Sequence, residues 1–209
     1  MRSERLTVFV IDDDAAVRDS IALMLGLAGY RTSVFADAEA FLAAWKEDWA
    51  GCVIADVRLP GQSGIELQEE LRERGVALPF IIITAHGDVP IARAAFLSQA
   101  VDFLEKPFDH RQLCAAIDTS FGLEERRIER RDSRRANAEK LGRLTVRERE
   151  VLEHAARGLH AKEIATALGI SPRTVEVHKT RIMEKLNVRN VAELVRFAIA
   201  ATPPEGDSR

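Results

Sequence analysis

Cysteine is nearly absent from this 209-residue chain, which has only Cys52 and Cys114, both in apolar surroundings, with no CxxC pair and no histidine cluster. That pattern excludes a zinc ribbon or a disulfide-stapled scaffold and predicts two buried free thiols. Large aromatic rings are scarce as well, with one Tyr and two Trp. The longest apolar runs, such as Leu78-Pro79-Phe80-Ile81-Ile82-Ile83, fall far short of the roughly 20 residues that span a bilayer. At the N-terminus, Met-Arg-Ser-Glu-Arg leads into only a short apolar stretch before acids appear, which is not the pattern of a signal peptide. No internal repeat is visible. The expectation is a cytoplasmic protein without membrane association.

What is present divides unevenly. The chain has a net charge of −3, but residues 1–123 carry 11 Lys/Arg against 19 Asp/Glu, a net of −8. Residues 124–143 carry 8 against 5, and residues 144–209 carry 11 against 9. An acidic front and a basic rear predict two domains with different partners, the rear one facing a polyanion. The predicted boundaries are a first domain over 1–121, a charged helical linker over 122–143, a second domain over 144–201 and a disordered tail over 202–209.

The first domain alternates apolar runs with helix-period segments. Leu6–Ile11, Thr32–Phe35, Cys52–Ala55, Phe80–Thr84 and Val101–Leu104 are mostly continuous rather than alternating, as in strands buried on both faces of a parallel sheet. Ser63 with Glu66 and Asp109 with Gln112 have capping-box spacing, and Gly29 stops the first helix. The fold class is α/β, a doubly wound five-stranded parallel sheet of order 2-1-3-4-5. The second domain reads as a separate all-α unit of four helices: Thr145 and Glu148 box the first, Gly169 turns the chain, Ser171 caps the third with Pro172 behind it, and the fourth starts near Val191.

Three consecutive aspartates, Asp12, Asp13 and Asp14, follow the first apolar run. One reading is helix capping, with Asp14 as the cap and its neighbours favouring the positive end of the helix dipole; the other is a functional site, since like charges repel and a buried carboxylate needs a partner. Asp56 ends the third strand, Thr84 the fourth, and Lys106 follows the fifth. In a 2-1-3-4-5 sheet these positions share the carboxyl edge at the switch point between strands one and three. Oxygen ligands of high charge density suit Mg²⁺, with Mn²⁺ as a substitute. Asp12, Asp13, Asp56 and the Arg58 carbonyl are the predicted ligands.

These residues match, one for one, the motif of receiver domains, and the first half resembles a two-component response regulator. The resemblance implies that Asp56 accepts a phosphoryl group from a cognate sensor histidine kinase. It also implies that Lys106 pairs with a phosphoryl oxygen, that Thr84 moves towards the acyl phosphate, and that Phe103 is the aromatic switch. Lys106-Pro107 is a candidate cis peptide, and Arg58 and His86 take the positions that flank the hydrolytic water in that family. An alternative is the D-x-D opening of Mg²⁺-dependent haloacid-dehalogenase-type phosphatases. It lacks the Thr or Val usual two residues after the second aspartate, where Ala16 stands, and lacks a late acidic pair.

The stretch "LTVREREVLEHAARGLHAKEIATALGISPRTVEVHKTRIMEKLNVRN" resembles the helix-turn-helix domain of FixJ/NarL/LuxR-type regulators, and "TAHGD" with "DVRLPGQSGIEL" places the resemblance in the FixJ branch. Val151, Leu152, Ile164, Leu168, Ile170, Val175, Ile182 and Leu186 form the expected core, with His178 a satisfied histidine on the same face. Arg173, Glu176, Val177, Thr180 and Glu184 fall on the opposite face of the third helix, the side a recognition helix presents to the major groove. Lys162, Lys179 and Arg181 are the expected phosphate contacts. A sigma-factor region would need a basic partner domain upstream, and a ligand-gated relative would need an aromatic-lined cavity; neither fits the front half. The implied function is a phosphorylation-activated transcriptional regulator that binds double-stranded DNA and is not an enzyme. The further implied partners are a second copy of the chain on phosphorylation, through a face including Ala94, Leu97, Arg111 and Gln112, and RNA polymerase.

Overall fold

The apolar runs of the first half become β1 (Thr7–Ile11), β2 (Arg31–Phe35), β3 (Gly51–Asp56), β4 (Phe80–Thr84) and β5 (Asp102–Glu105). All pairings are parallel and the order is β2-β1-β3-β4-β5. The structure is a computed structural model that describes residues 5–85 and 100–201. Among these, eight helices occur: α1 (Ala15–Leu27), α2 (Ala38–Ala44), α3 (Gly64–Glu73), α4 (His110–Gly142), α5 (Val146–Ala156), α6 (Ala161–Leu168), α7 (Pro172–Leu186) and α8 (Val191–Ala201). The segment between β4 and β5, with His86, Ala94 and Leu97, lies outside the described residues. None of the described helices is long and apolar enough to cross a membrane.

Alternation along the strands sorts side chains to two faces. Phe9, Ile11, Val53, Ala55, Phe80 and Ile82 pack with Phe41, Leu67 and Leu71 from α2 and α3. On the other face Val8, Val10, Cys52, Ile54, Ile81 and Ile83 are also closed to water, as are Ile21 and Leu25 of α1 and Leu113 and Ile117 of α4. The fully buried pattern holds for β3 and β4 only. In β2 exposed residues interrupt the pattern, because it is an edge strand with one neighbour. Cys114 departs from expectation too: it is half-buried, while Cys52 is buried, and both are free thiols.

The cap signals are realised. Asp14, Ser63, Thr145 and Ser171 each accept a backbone N–H in the first turn of α1, α3, α5 and α7. The charged linker is helical, continuing without a break from the predicted fifth helix of the first domain to form α4, 33 residues long.

The chain divides into two units, residues 1–127 and 128–209. The second has its own core of Val151, Ile164, Val175, Ile182, Leu186 and Leu194, with Leu168 and Ile170 at its margin. Its packing starts within α4, before residue 144: Leu141 lies against this core and the Lys140 ammonium sits 5.7 Å from the Phe197 ring centre. Gly169, with φ +65°, ends α6 in the left-handed region and starts the turn into α7.

Candidate functional site

Parallel strands end at one edge, so residues just past β1, β3, β4 and β5 meet although they are far apart in sequence. Asp12, one residue past β1, is 3% exposed; Asp56, the last residue of β3, is 8% exposed; and Thr84, the last of β4, is 1% exposed. The Lys106 ammonium donates to Asp12 Oδ2 at 2.7 Å and to Asp56 Oδ2 at 2.6 Å. The other oxygens are held by backbone: Asp12 Oδ1 accepts the Asp14 N–H at 3.0 Å, and Asp56 Oδ1 accepts the Arg58 N–H at 2.8 Å. Burial pulls the Lys106 pKa down, but hydrogen bonds to Asp12 and Asp56, and their charges, outweigh it and leave the pKa above the usual lysine value.

Lys106 is positioned by its backbone, whose N–H donates to the Thr84 carbonyl at 2.7 Å, and its bond to Pro107 is cis. Two contributors are harder to see in sequence. Arg18, one turn into α1, donates to the Asp12 carbonyl at 2.6 Å and fixes the end of β1. Gly64 starts α3 so close to β3 that a Cβ there would stand 2.4 Å from the Asp56 carbonyl oxygen. Only glycine lets the α3 N-terminus approach the Asp56 backbone this closely.

Not every predicted site residue joins this group. Asp13 is exposed, and no group of three or more His, Cys, Asp and Glu arranged to hold a metal ion occurs among the described residues. The Lys106 ammonium joins the two buried carboxylates, Asp12 and Asp56, while Asp13 next to them in sequence is open to solvent. The pair still fits a hard divalent cation in its chemistry: two buried carboxylates share one ammonium and keep an excess negative charge. Arg58 is exposed, and Phe103 is half-buried against the core on the α2–α3 side of the sheet.

In the second unit α7 separates its faces as its 3.6-residue period requires. Val175, Ile182 and Leu186 are buried, while Arg173, Glu176, Val177, Thr180 and Arg181 are exposed, as is Lys162 on α6. Two assignments need correction. Lys179 is only 7% exposed and its ammonium lies 3.2 Å from Glu176 Oε1. It sits on the inward stripe, four residues after Val175 and three before Ile182, and is not displayed with the other cations. His178 is half-buried, and its Nδ1 is buried without a hydrogen-bond partner among the described residues, so it is not satisfied.

Glu148 does more than cap α5. Besides accepting the Thr145 N–H at 2.8 Å, its Oε2 accepts from the Lys185 ammonium at 2.6 Å and so ties α5 to the end of α7. Burial alone would raise its pKa, yet the Lys185 and Thr145 hydrogen bonds and the Lys185 charge bring it down to about 2. Arg147 caps the Leu168 carbonyl at the end of α6. Lys185, the penultimate residue of α7, was not among the predicted site residues.

Comparison with known proteins follows the same division. Residues 8–118 match the response regulator receiver domain, and residues 143–198 match the bacterial regulatory proteins of the luxR family. The transcriptional regulatory protein FixJ of Azorhizobium caulinodans is 45% identical over 95% of this chain and 94% of its own length. FixJ of Bradyrhizobium diazoefficiens is 42% identical over 93% and 95%. Among solved structures, the response regulator StyR aligns with a TM-score of 0.82 at 41% identity over 93% of this chain and 98% of that one. Full-length FixJ from B. japonicum aligns at 0.59 and 41% identity over 95% and 98%.

Proposed function

The chain belongs to the response regulators that join a receiver domain to a luxR-family DNA-binding domain, and on that premise we propose that Asp56 is its phosphoacceptor and that phospho-Asp56 controls DNA binding through the face of α7. It is a phosphorylation-activated transcriptional regulator; the phosphatase alternative has no support among its relatives. The observation that carries the assignment is the Lys106 ammonium held at 2.7 and 2.6 Å by two buried carboxylates from separate strand ends.

Asp56 attacks the phosphorus of a phosphohistidine on the sensor kinase. The P–N bond breaks, an acyl phosphate forms, and the imidazole leaves. Asp12, Asp13, Asp56 and the Arg58 carbonyl are the residues to hold Mg²⁺, which when bound neutralises phosphoryl charge during transfer. Lys106 is already bonded to Asp56, so it can follow the charge outward onto a phosphoryl oxygen. The acyl phosphate replaces the single charge of the Asp56 carboxylate with a phosphoryl group of about 1.5 to 2 negative charges, so the site gains up to about one charge on top of the one it already carries in excess. Thr84 and Phe103 are the residues to relax towards that charge and so shift the receiver between two pre-existing states.

The output follows from the second unit. Val177, 44% exposed, suits a thymine methyl. Thr180 and Glu176 suit base edges, and Arg173, Arg181 and Lys162 suit phosphates. Phosphorylation pairs two chains, and the pair engages double-stranded DNA and RNA polymerase. Light scattering with and without a beryllofluoride mimic, together with affinity for a site selected from random DNA, tests this. A rise from monomer to dimer with tighter DNA binding is expected. One unchanged mass and one unchanged affinity in both states would refute it.

A further inference from the structure

The ion pair on α7 sits where the helix presents itself to DNA, and its two members live in different environments. The Lys179 side chain is 9% exposed and that of Glu176 is 61% exposed. Lys179 falls on the same helical stripe as Val175, Ile182 and Leu186, all closed to water. Its side chain therefore lies along the core, with the ammonium reaching one turn back to Glu176 Oε1 at 3.2 Å. An ammonium tethered by a buried stem has little freedom to swing out to a phosphate. Glu176, in contrast, is the only acid between Pro172 and Arg181 on α7. Left alone it would carry an unneutralised negative charge towards a polyanion.

We propose that Lys179 is a positioning residue for DNA recognition: it contacts no phosphate, but neutralises Glu176 and fixes the direction of its carboxylate, so that Glu176 can accept from a base donor without repelling the backbone. The proposal rests on α7 being the DNA-reading helix. It makes the pair a single specificity element, with the buried lysine setting where the exposed acid points. The chemistry favoured is a base edge that donates, such as a cytosine amino group, next to a phosphate path held by Arg173 and Arg181.

A double-mutant cycle on the full chain in its beryllofluoride-bound state tests it, using a duplex selected from random DNA and its single-base variants. Lys179→Met keeps the stem and removes the charge. It is expected to weaken the selected duplex about ten-fold and to relax preference at the base position that Glu176→Gln also relaxes. In the Glu176→Gln background the same Lys179→Met change is expected to cost less than about two-fold, because its effect runs through Glu176. Lys179→Arg, which restores the charge, returns the affinity and the preference. Lys179→Gln, run in parallel, completes the cycle in case methionine does not fold.

An equal loss from Lys179→Met in both backgrounds, spread evenly over all duplexes, would make Lys179 a phosphate contact and overturn the proposal. Val177→Ala separates this from failure of the reading beneath it. If neither Val177→Ala nor Glu176→Gln changes any base preference, α7 does not read the bases, and both fall together.

Discussion

Two lysine clusters built on buried carboxylates, one in each unit, are put together in opposite ways. At the sheet edge one ammonium, Lys106, is shared by two buried carboxylates, Asp12 and Asp56. In the helical unit one ammonium, Lys185, meets one buried carboxylate, Glu148, whose Oε2 also accepts from the Thr145 N–H and hydroxyl. The second cluster is balanced and closed, and it can only hold helices together. The first is one charge short of balance. That imbalance costs stability, and it leaves the site able to take up a cation or exchange partners when a phosphoryl group arrives. Charge stoichiometry, more than burial or distance, separates the switch from the strut.

Matched neutralisations should break the likeness most sharply. Glu148→Gln removes the charge partner of Lys185 and weakens a capping box, and should destabilise the second unit by about 2 kcal/mol. Asp56→Asn leaves Lys106 one-to-one with Asp12 and should leave receiver stability unchanged or higher. Urea unfolding of both variants measures this; an equal loss in the two would end the distinction.

The pH dependence should split the same way. Glu148 titrates lower folded than unfolded, so the unfolded chain binds more protons on the acid side. Its contribution is complete above the unfolded value near 4.5 and is lost as pH falls towards about 2. Screening through the part-exposed Lys185 keeps this to about 1–2 kcal/mol. Lys106 titrates higher folded than unfolded, so its contribution is complete below the ordinary lysine value of 10.5 and is lost as pH rises through the folded value. Thermal melts followed separately for each unit should show the helical unit failing on the acid limb and the receiver losing stability on the alkaline limb.

The acidic excess and the stop signals could be read in the sequence because both are local. Asp12, Asp56, Thr84 and Lys106 sit at ends of apolar runs, and parallel topology alone brings those ends together. What escaped the reading depends on the third dimension at finer scale. That Asp12 is buried while Asp13 is exposed depends on the path of the backbone past β1, which the run of three aspartates does not reveal. Lys179 was placed outward by its charge, although its spacing from Val175 and Ile182 already put it on the core stripe. The exposure of Arg31 and Val34 in β2 is a consequence of the edge position that the order 2-1-3-4-5 already implied, although run length alone does not mark it. Gly64 and Arg18 act on backbone atoms, and no side-chain pattern marks such contacts.

A smaller effect concerns the cation. Lys106 competes with Mg²⁺ for the same two carboxylates, so Lys106→Ala should tighten Mg²⁺ binding by about ten-fold while impairing activation. Calorimetric titration checks it, and weaker binding would show the ammonium to be a support for the site and not a competitor. The smallest expected difference is between the capping boxes. Ser63→Ala in the receiver and Thr145→Ala in the helical unit should each cost about 1 kcal/mol, with the Thr145 change slightly larger because its partner Glu148 is also tied to Lys185.

The most direct test is to label the full chain with a small phosphodonor and Mg²⁺ and count the phosphoryl groups by intact mass. One group per chain, absent from Asp56→Asn and retained in Glu148→Gln, is the predicted result. Labelling of Asp56→Asn to the same extent as the wild-type chain would contradict it, because the unbalanced cluster would then not be the acceptor.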